Sequence, residues 1–374
     1  MQVLQAVERE RVLAMEMGED VEASITSVDD ALGVLLRNAT EEYGFAPRDV
    51  YEGILLPTKT RGDHDEAVGC LDYQKLQSYV EVSPHGRGLS EPSDCVIAVT
   101  PREIHLHHVK WTIDFKSDRI GKTVAVSMRS AEVEDLRSTY DLLRATPATS
   151  CMAGRVFESF VHRVLPASWP STEPLPQHIR LVPDHNDPPT FSVPDPSSFK
   201  PDPRPTPLFI PPPVRTSARE PIQISLPADL GCVTLGNDKY YIPFAINNPL
   251  FDSFTVDHDP DNRMVVISIF QIATSPSHEG SAKGYPHIQK IMARVYELLG
   301  PERSDTTVKV VYFLACPEGG SGIRWKMPVG WNKQVTRDGP EGYDHRGEVF
   351  RLPFPGASCL ITPNFAIQLN HNWV

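Results

Sequence analysis

LFDSFTVDHDPDNRMVVISIFQIATSPSH, residues 250–278, is the stretch on which the reading of the chain turns. Two runs rich in β-branched and aromatic residues flank a Pro, Asp and Asn cluster at 259–262, the composition of a tight turn. Residues 250–257 therefore fold back against 263–271 as an antiparallel hairpin. Counting outward from the turn sets Asp252 opposite Ile269 to Gln271. The run VVISIF has no polar alternation except Ser268, which predicts a central strand covered on both faces. A carboxylate and an amide oxygen brought together at the end of such a strand make an oxygen pocket of the kind that suits Mg²⁺.

The helix upstream supplies a further candidate. AGRVFESFVHRVL (153–165) places Val156, Phe157, Phe160, Val161 and Leu165 on one face. Glu158 stands beside that stripe, with His162 one turn on along the same side. Alone, such a Glu reads as a half-buried solvated residue; beside the hairpin it becomes a candidate metal ligand. Strands are expected at 222–227 and 232–243, a helix at 286–299, then strands at 308–316 and 364–369. That order is α/β.

Of the chain's 36 prolines, nearly half fall between Pro166 and Pro213. Such a run forms neither a central strand nor a helix interior, so it predicts an extended or disordered insertion, a linker more than a ligand for a proline-binding module. Ahead of it, helices are expected at 2–17, 28–43 and 67–80, then strands at 95–100 and 103–115 parted by a Pro-Arg turn. Helical spacing returns from Asp118 to Arg144. The organisation expected is thus a small helical, winged-helix-like region at 1–145 and an α/β domain at 146–374, interrupted at 166–213.

A net charge of −12 argues against a generic polyanion binder, although bound metal and a local groove can supply positive charge in an acidic enzyme. Six scattered cysteines without a C-x-x-C pair suit reduced thiols in the cytosol or nucleus. The charged N-terminus has no apolar signal core, and no segment is long and apolar enough to span a bilayer, so an intracellular chain without a membrane partner is expected.

Four motifs fail on inspection. DFKSDRIGKT ends like a phosphate-binding loop, but Lys116 occupies the place of its first glycine, so nucleotide binding is not expected. DHDPDN starts like a calcium loop, yet Asn262 and Ser268 replace the required Gly and Glu. His105 and His107 alternate on a strand without a third zinc ligand nearby. GGSG (319–322) is followed by Ile323, not by the glycine of a nucleophile elbow.

AGRVFESFVHRVL, NNPLFDSFTVD and IFQIATSPSH together resemble the C-terminal module of Crinkler-type and retrotransposon-hot-spot proteins. DVYEGILL (49–56), VKWTIDFKSDRI and YDLLRATPATSCMAGRVFE share that cadence, so the resemblance spans residues 49–300. It implies a restriction-endonuclease-like mixed sheet flanked by helices, often preceded by an NTPase domain that this sequence lacks. It also implies a metal site of Glu158, Asp252 and Gln271, with DNA as substrate. The lysine expected two residues after Gln271 is Ala273, which leaves His278, Lys283 or nothing in its role. Two functions follow as expectations. One is Mg²⁺-dependent hydrolysis of DNA phosphodiesters, with His278 orienting or deprotonating the attacking water. The other is a catalytically inactive nuclease fold that binds nucleic acid or protein, a view favoured by Ala273 and the acidic charge.

Overall fold

The computed structural model describes residues 28–72, 74–76, 78, 95–104, 109–128, 131–145, 147–168, 178–194, 217–226, 228–244, 248–275, 277–300, 305–318, 324–332 and 343–354. The chain is mixed α/β and forms two compact units, 1–164 and 165–374. Among the described residues no helix is long and apolar enough to cross a membrane, and no cysteine is disulfide-linked.

The first unit holds helices α1 (Val28–Tyr43), α2 (Pro47–Leu55) and α3 (Pro57–Gly69), then strands β1 (Ile97–Ile104) and β2 (Val109–Phe115). Helices α4 (Asp118–Met128), α5 (Val133–Ala145) and α6 (Ser150–Val164) follow. Proline opens both α2 and α3, where its missing N–H costs nothing. Gly44 ends α1 at φ +86° with its N–H on Thr40 O, and a Cβ there would run into the Lys116 backbone.

The Pro-Arg pair at 101–102 is not the turn expected of it. Strand β1 runs on to Ile104 against β2, and a register shift between Pro101 and Glu103 absorbs the missing donor. His105, His107, residues 2–17 and residues 319–322 lie outside the described residues. Gly121, Lys122 and Thr123 lie within α4, where Lys122 pairs with Asp118 and Gly121 lets Phe115 pack close. Ser159 Oγ donates to Ala125 O at 2.9 Å, fastening α6 to α4.

The second unit holds β3 (Ile179–Arg180), β4 (Val182–Pro183), β5 (Thr190–Ser192), β6 (Glu220–Ile224), β7 (Lys239–Pro243), β8 (Ser253–Asp259), β9 (Met264–Ile272) and β10 (Ser277–Glu279). Helix α7 (Tyr285–Leu299) comes next, then β11 (Thr307–Pro317), β12 (Arg324–Lys326) and β13 (Glu348–Phe354). Seven strands form one sheet in the order β3-β13-β11-β9-β8-β7-β6, and four form a second, β10-β12-β5-β4. β7, β8 and β9 are antiparallel neighbours, whereas β11 lies parallel to β9 and is reached through α7. Every residue of β9 is buried, as its unbroken apolar run predicts.

Ile288, Ile291, Met292 and Val295 of α7 pack in one core with Val265, Ile267 and Ile269 of β9 and with Val310, Tyr312 and Leu314 of β11. Their helical spacing gives α7 an apolar stripe, and burying each such side chain contributes about 1.5–3 kcal/mol.

Part of the proline-rich stretch is built into both sheets. Residues 178–194 supply β3 against β13 and β5 against β12, and Leu181 and Phe191 are buried. The expectation of an excursion fails over these residues. The strands are short, β3 and β4 are at sheet edges, and Pro183 sits on edge strand β4, where a missing N–H is tolerated. β13 answers to no strand expected from the sequence, and 364–369 lies outside the described residues.

Candidate active site

The hairpin closes on a turn that satisfies itself. Asp259 accepts from the Asn262 backbone N–H at 3.0 Å and from its side-chain amide at 2.7 Å, so the acidic cluster is a turn. Arg263 completes it at φ +48°. From there the register runs without a shift to Ser253 opposite Phe270, which brings Asp252 level with Gln271.

At that end the Asp252 N–H donates to Phe270 O at 2.8 Å. Its carboxylate Oδ2 accepts from the Ile272 N–H at 2.6 Å and from Gln271 Nε2 at 2.7 Å. The side chain thereby takes over a backbone donor just where β8 begins. Asp252 is half-buried and Gln271 nearly fully buried. With its nitrogen on the carboxylate, the Gln271 amide keeps its oxygen as an acceptor.

A half-turn of that amide would set its oxygen where the nitrogen stands, 2.7 Å from Oδ2. Adjacent oxygens around Mg²⁺ lie about 3 Å apart, since Mg–O distances are about 2.1 Å. Only in that rotated state would the pair present two neighbouring oxygens to one hard cation; as it stands, the amide N–H occupies that place. Among the described residues no three His, Cys, Asp or Glu side chains gather to hold a metal, a count that leaves out amide oxygens such as that of Gln271.

Glu158 belongs to the first unit. It is about a quarter exposed, with His162 Nε2 3.8 Å and Arg155 Nη1 3.9 Å from its carboxylate, and His162 is buried on the same helix. His278 stands on β10, in the smaller sheet, its ring edge-on to Trp325 at 6.4 Å between centroids. Burial lowers its pKa, and the neighbouring Glu279 offsets part of that. Lys283 lies in the short 3₁₀ turn (282–284) ahead of α7.

The histidine joined to the Asp252 loop is His287, in the first turn of α7. Asn248 Nδ2 donates to Phe251 O at 2.6 Å, which turns its Oδ1 to His287 Nδ1 at 2.9 Å. An amide oxygen only accepts, so Nδ1 carries the proton and the lone pair of the neutral ring lies on Nε2. Burial, and secondarily Lys290, lowers the His287 pKa and favours that neutral form. The same loop is clamped by the Ser281 N–H on Pro249 O and by Gly284, where a Cβ would collide with Leu250. Sequence reasoning missed this relay. The one available signal was an Asn four residues before Asp252 and a His at a helix start.

Position 273 is closed to a long side chain. Ala273 is 7% exposed within the apolar core, and its N–H donates to Ala315 O at 3.0 Å. No protein-family model, curated protein or solved structure matches the chain.

Proposed function

We propose that this chain is a metal-dependent nuclease-like protein of the Crinkler and retrotransposon-hot-spot kind, hydrolysing DNA phosphodiesters where β8 and β9 bring Asp252 to Gln271. One observation carries the reading: the Asp252–Gln271 contact at 2.7 Å stands at one end of an antiparallel β7-β8-β9 group, joined through α7 to parallel β11. Preceded by α6, that order supports a restriction-endonuclease-like arrangement, in which an Asp and an acid or Gln on successive strands hold the metal.

In this proposal Asp252 and the Gln271 oxygen hold Mg²⁺, which would supply a Lewis acid and lower the pKa of bound water. The Ile272 N–H orients the Asp252 carboxylate. The family resemblance also names Glu158, a residue of the first unit, as an acidic ligand, and the proposal for this end of the sheet rests on Asp252 and Gln271 alone. Two histidines are candidates to take the proton of the attacking water. His278 is the one the sequence points to, and His287 is the one whose Nε2 lone pair is fixed by Asn248.

Two observations favour a non-catalytic nucleic-acid or protein-binding module instead: the buried Ala273 in the lysine's place, and the Gln271 amide N–H on Asp252. Asp252→Asn separates the readings. It keeps the size of the side chain and should cost about 1 kcal/mol or less in a melt. Cleavage of DNA in Mg²⁺ or Mn²⁺ should fall at least about 100-fold. Equal cleavage by parent and variant would remove Asp252 from the site. A parent that cleaves neither DNA nor RNA would establish the non-catalytic module.

A further inference from the structure

Leu314 of β11 pairs in register with Gln271 of β9 on one side and with Arg351 of β13 on the other. Residues in register on neighbouring strands project from the same face of a sheet. The surrounding core fixes that face: Ile269 and Ala273 flank Gln271, Tyr312 and Cys316 flank Leu314, Val349 precedes Arg351 by two, and all five lie in one apolar cluster. Asp252, Gln271, Leu314 and Arg351 therefore form a row across the end of the sheet. Strands are spaced about 4.8 Å apart, so the Arg351 Cα is about 10 Å from that of Gln271. An arginine side chain and a phosphate group span that distance between them.

Arg351 is half-buried, and its Nε donates to Cys316 Sγ at 3.1 Å. Cys316 is fully buried, and burial raises its thiol pKa, so the partner is neutral. Among the described residues no carboxylate pairs with Arg351. Arg180 and Arg219, by contrast, are answered by Glu348 and Asp257. Anchoring through Nε holds the plane of the guanidinium and leaves the Nη fork, whose geometry matches two phosphate oxygens.

We infer that Arg351 is the phosphate-binding cation of this site, supplied from β13 because position 273 is taken by the core. The inference rests on the nuclease reading of Asp252 and Gln271, and its ligand is a nucleic-acid phosphodiester.

The test is binding of a short labelled DNA duplex by the full chain in EDTA, over a range of salt, together with cleavage in Mg²⁺. Arg351→Gln should weaken binding and reduce the slope of log K against log salt by about 0.9, the value for one lost phosphate contact. Cleavage should fall at least about 100-fold. Arg351→Lys should keep the slope and recover only part of the cleavage, which guards against misreading a folding defect in the Gln variant. An unchanged slope and rate in Arg351→Gln, with Asp252→Asn inactive, would overturn the role of Arg351 and leave the nuclease reading standing. A parent that neither binds nor cleaves DNA would overturn both.

Discussion

Two aspartates of the hairpin's first arm, Asp252 just ahead of β8 and Asp257 within it, are held in opposite ways. Asp257 meets a cation inside the fold: both its oxygens lie 3.1 Å from Arg219 Nη2, and both side chains are buried. Asp252 is oriented by two neutral donors, the Ile272 N–H and the Gln271 amide, at a half-buried strand end. One hairpin therefore carries two acids of different kinds. The first acid serves the fold, whereas the second, in the proposed reading, serves what the strand end can hold.

The most disruptive way to test that contrast is Arg219→Met, which removes the Arg219 guanidinium from the buried Asp257. The second unit should lose about 3–5 kcal/mol in chemical denaturation. Arg219→Met with Asp257→Asn should recover much of the loss, since the buried carboxylate charge is then removed together with the cation. A single variant that unfolds like the parent would show that the pair contributes nothing to the fold.

Gln271→Glu sharpens the other end. Two carboxylates side by side should cost about 1 kcal/mol in EDTA. Millimolar Mg²⁺ should restore the melting temperature, because a ligand that binds only the folded state stabilises it. A melt insensitive to Mg²⁺ would mean that this end holds no ion.

The smallest effect belongs to the turn. Arg263 adopts φ +48°, a region costly for any side chain with a Cβ, and its exposed pair with Asp305 at 3.7 Å contributes little. Arg263→Gly should stabilise by up to about 1 kcal/mol, less the chain entropy that glycine adds to the unfolded state. A destabilised variant would show that the Arg263 side chain matters to the hairpin.

The hairpin was legible because its register is a local property, set by turn residues a few positions away. The helix–strand crossover to β11 was equally legible from its apolar period. What escaped was set over long distances. EVFRLPF has a proline at its next-to-last position and mixed polarity, yet β13 forms because β11 offers it a buried parallel edge. Arg351 could not be placed in the row with Gln271 without that pairing. The choice between His278 and His287 needed the knowledge that 277–279 leaves the large sheet for the small one. Proline content likewise concealed β3 to β5, since a dipeptide or tripeptide strand has no period to detect.

Those short strands bear on how the chain is made. β3 pairs with β13, and β5 pairs with β12, so early residues wait for partners near the other end of the unit. At about 5–20 residues per second, the ribosome needs on the order of 10 s or more to travel from Arg180 to Phe350. Throughout that interval β3 has no strand partner in the nascent chain, and the β11 edge, once made, waits for β13 as well. Assembly of the second unit is therefore expected to follow synthesis of β13, with chaperones the natural guardians of the exposed edge until then.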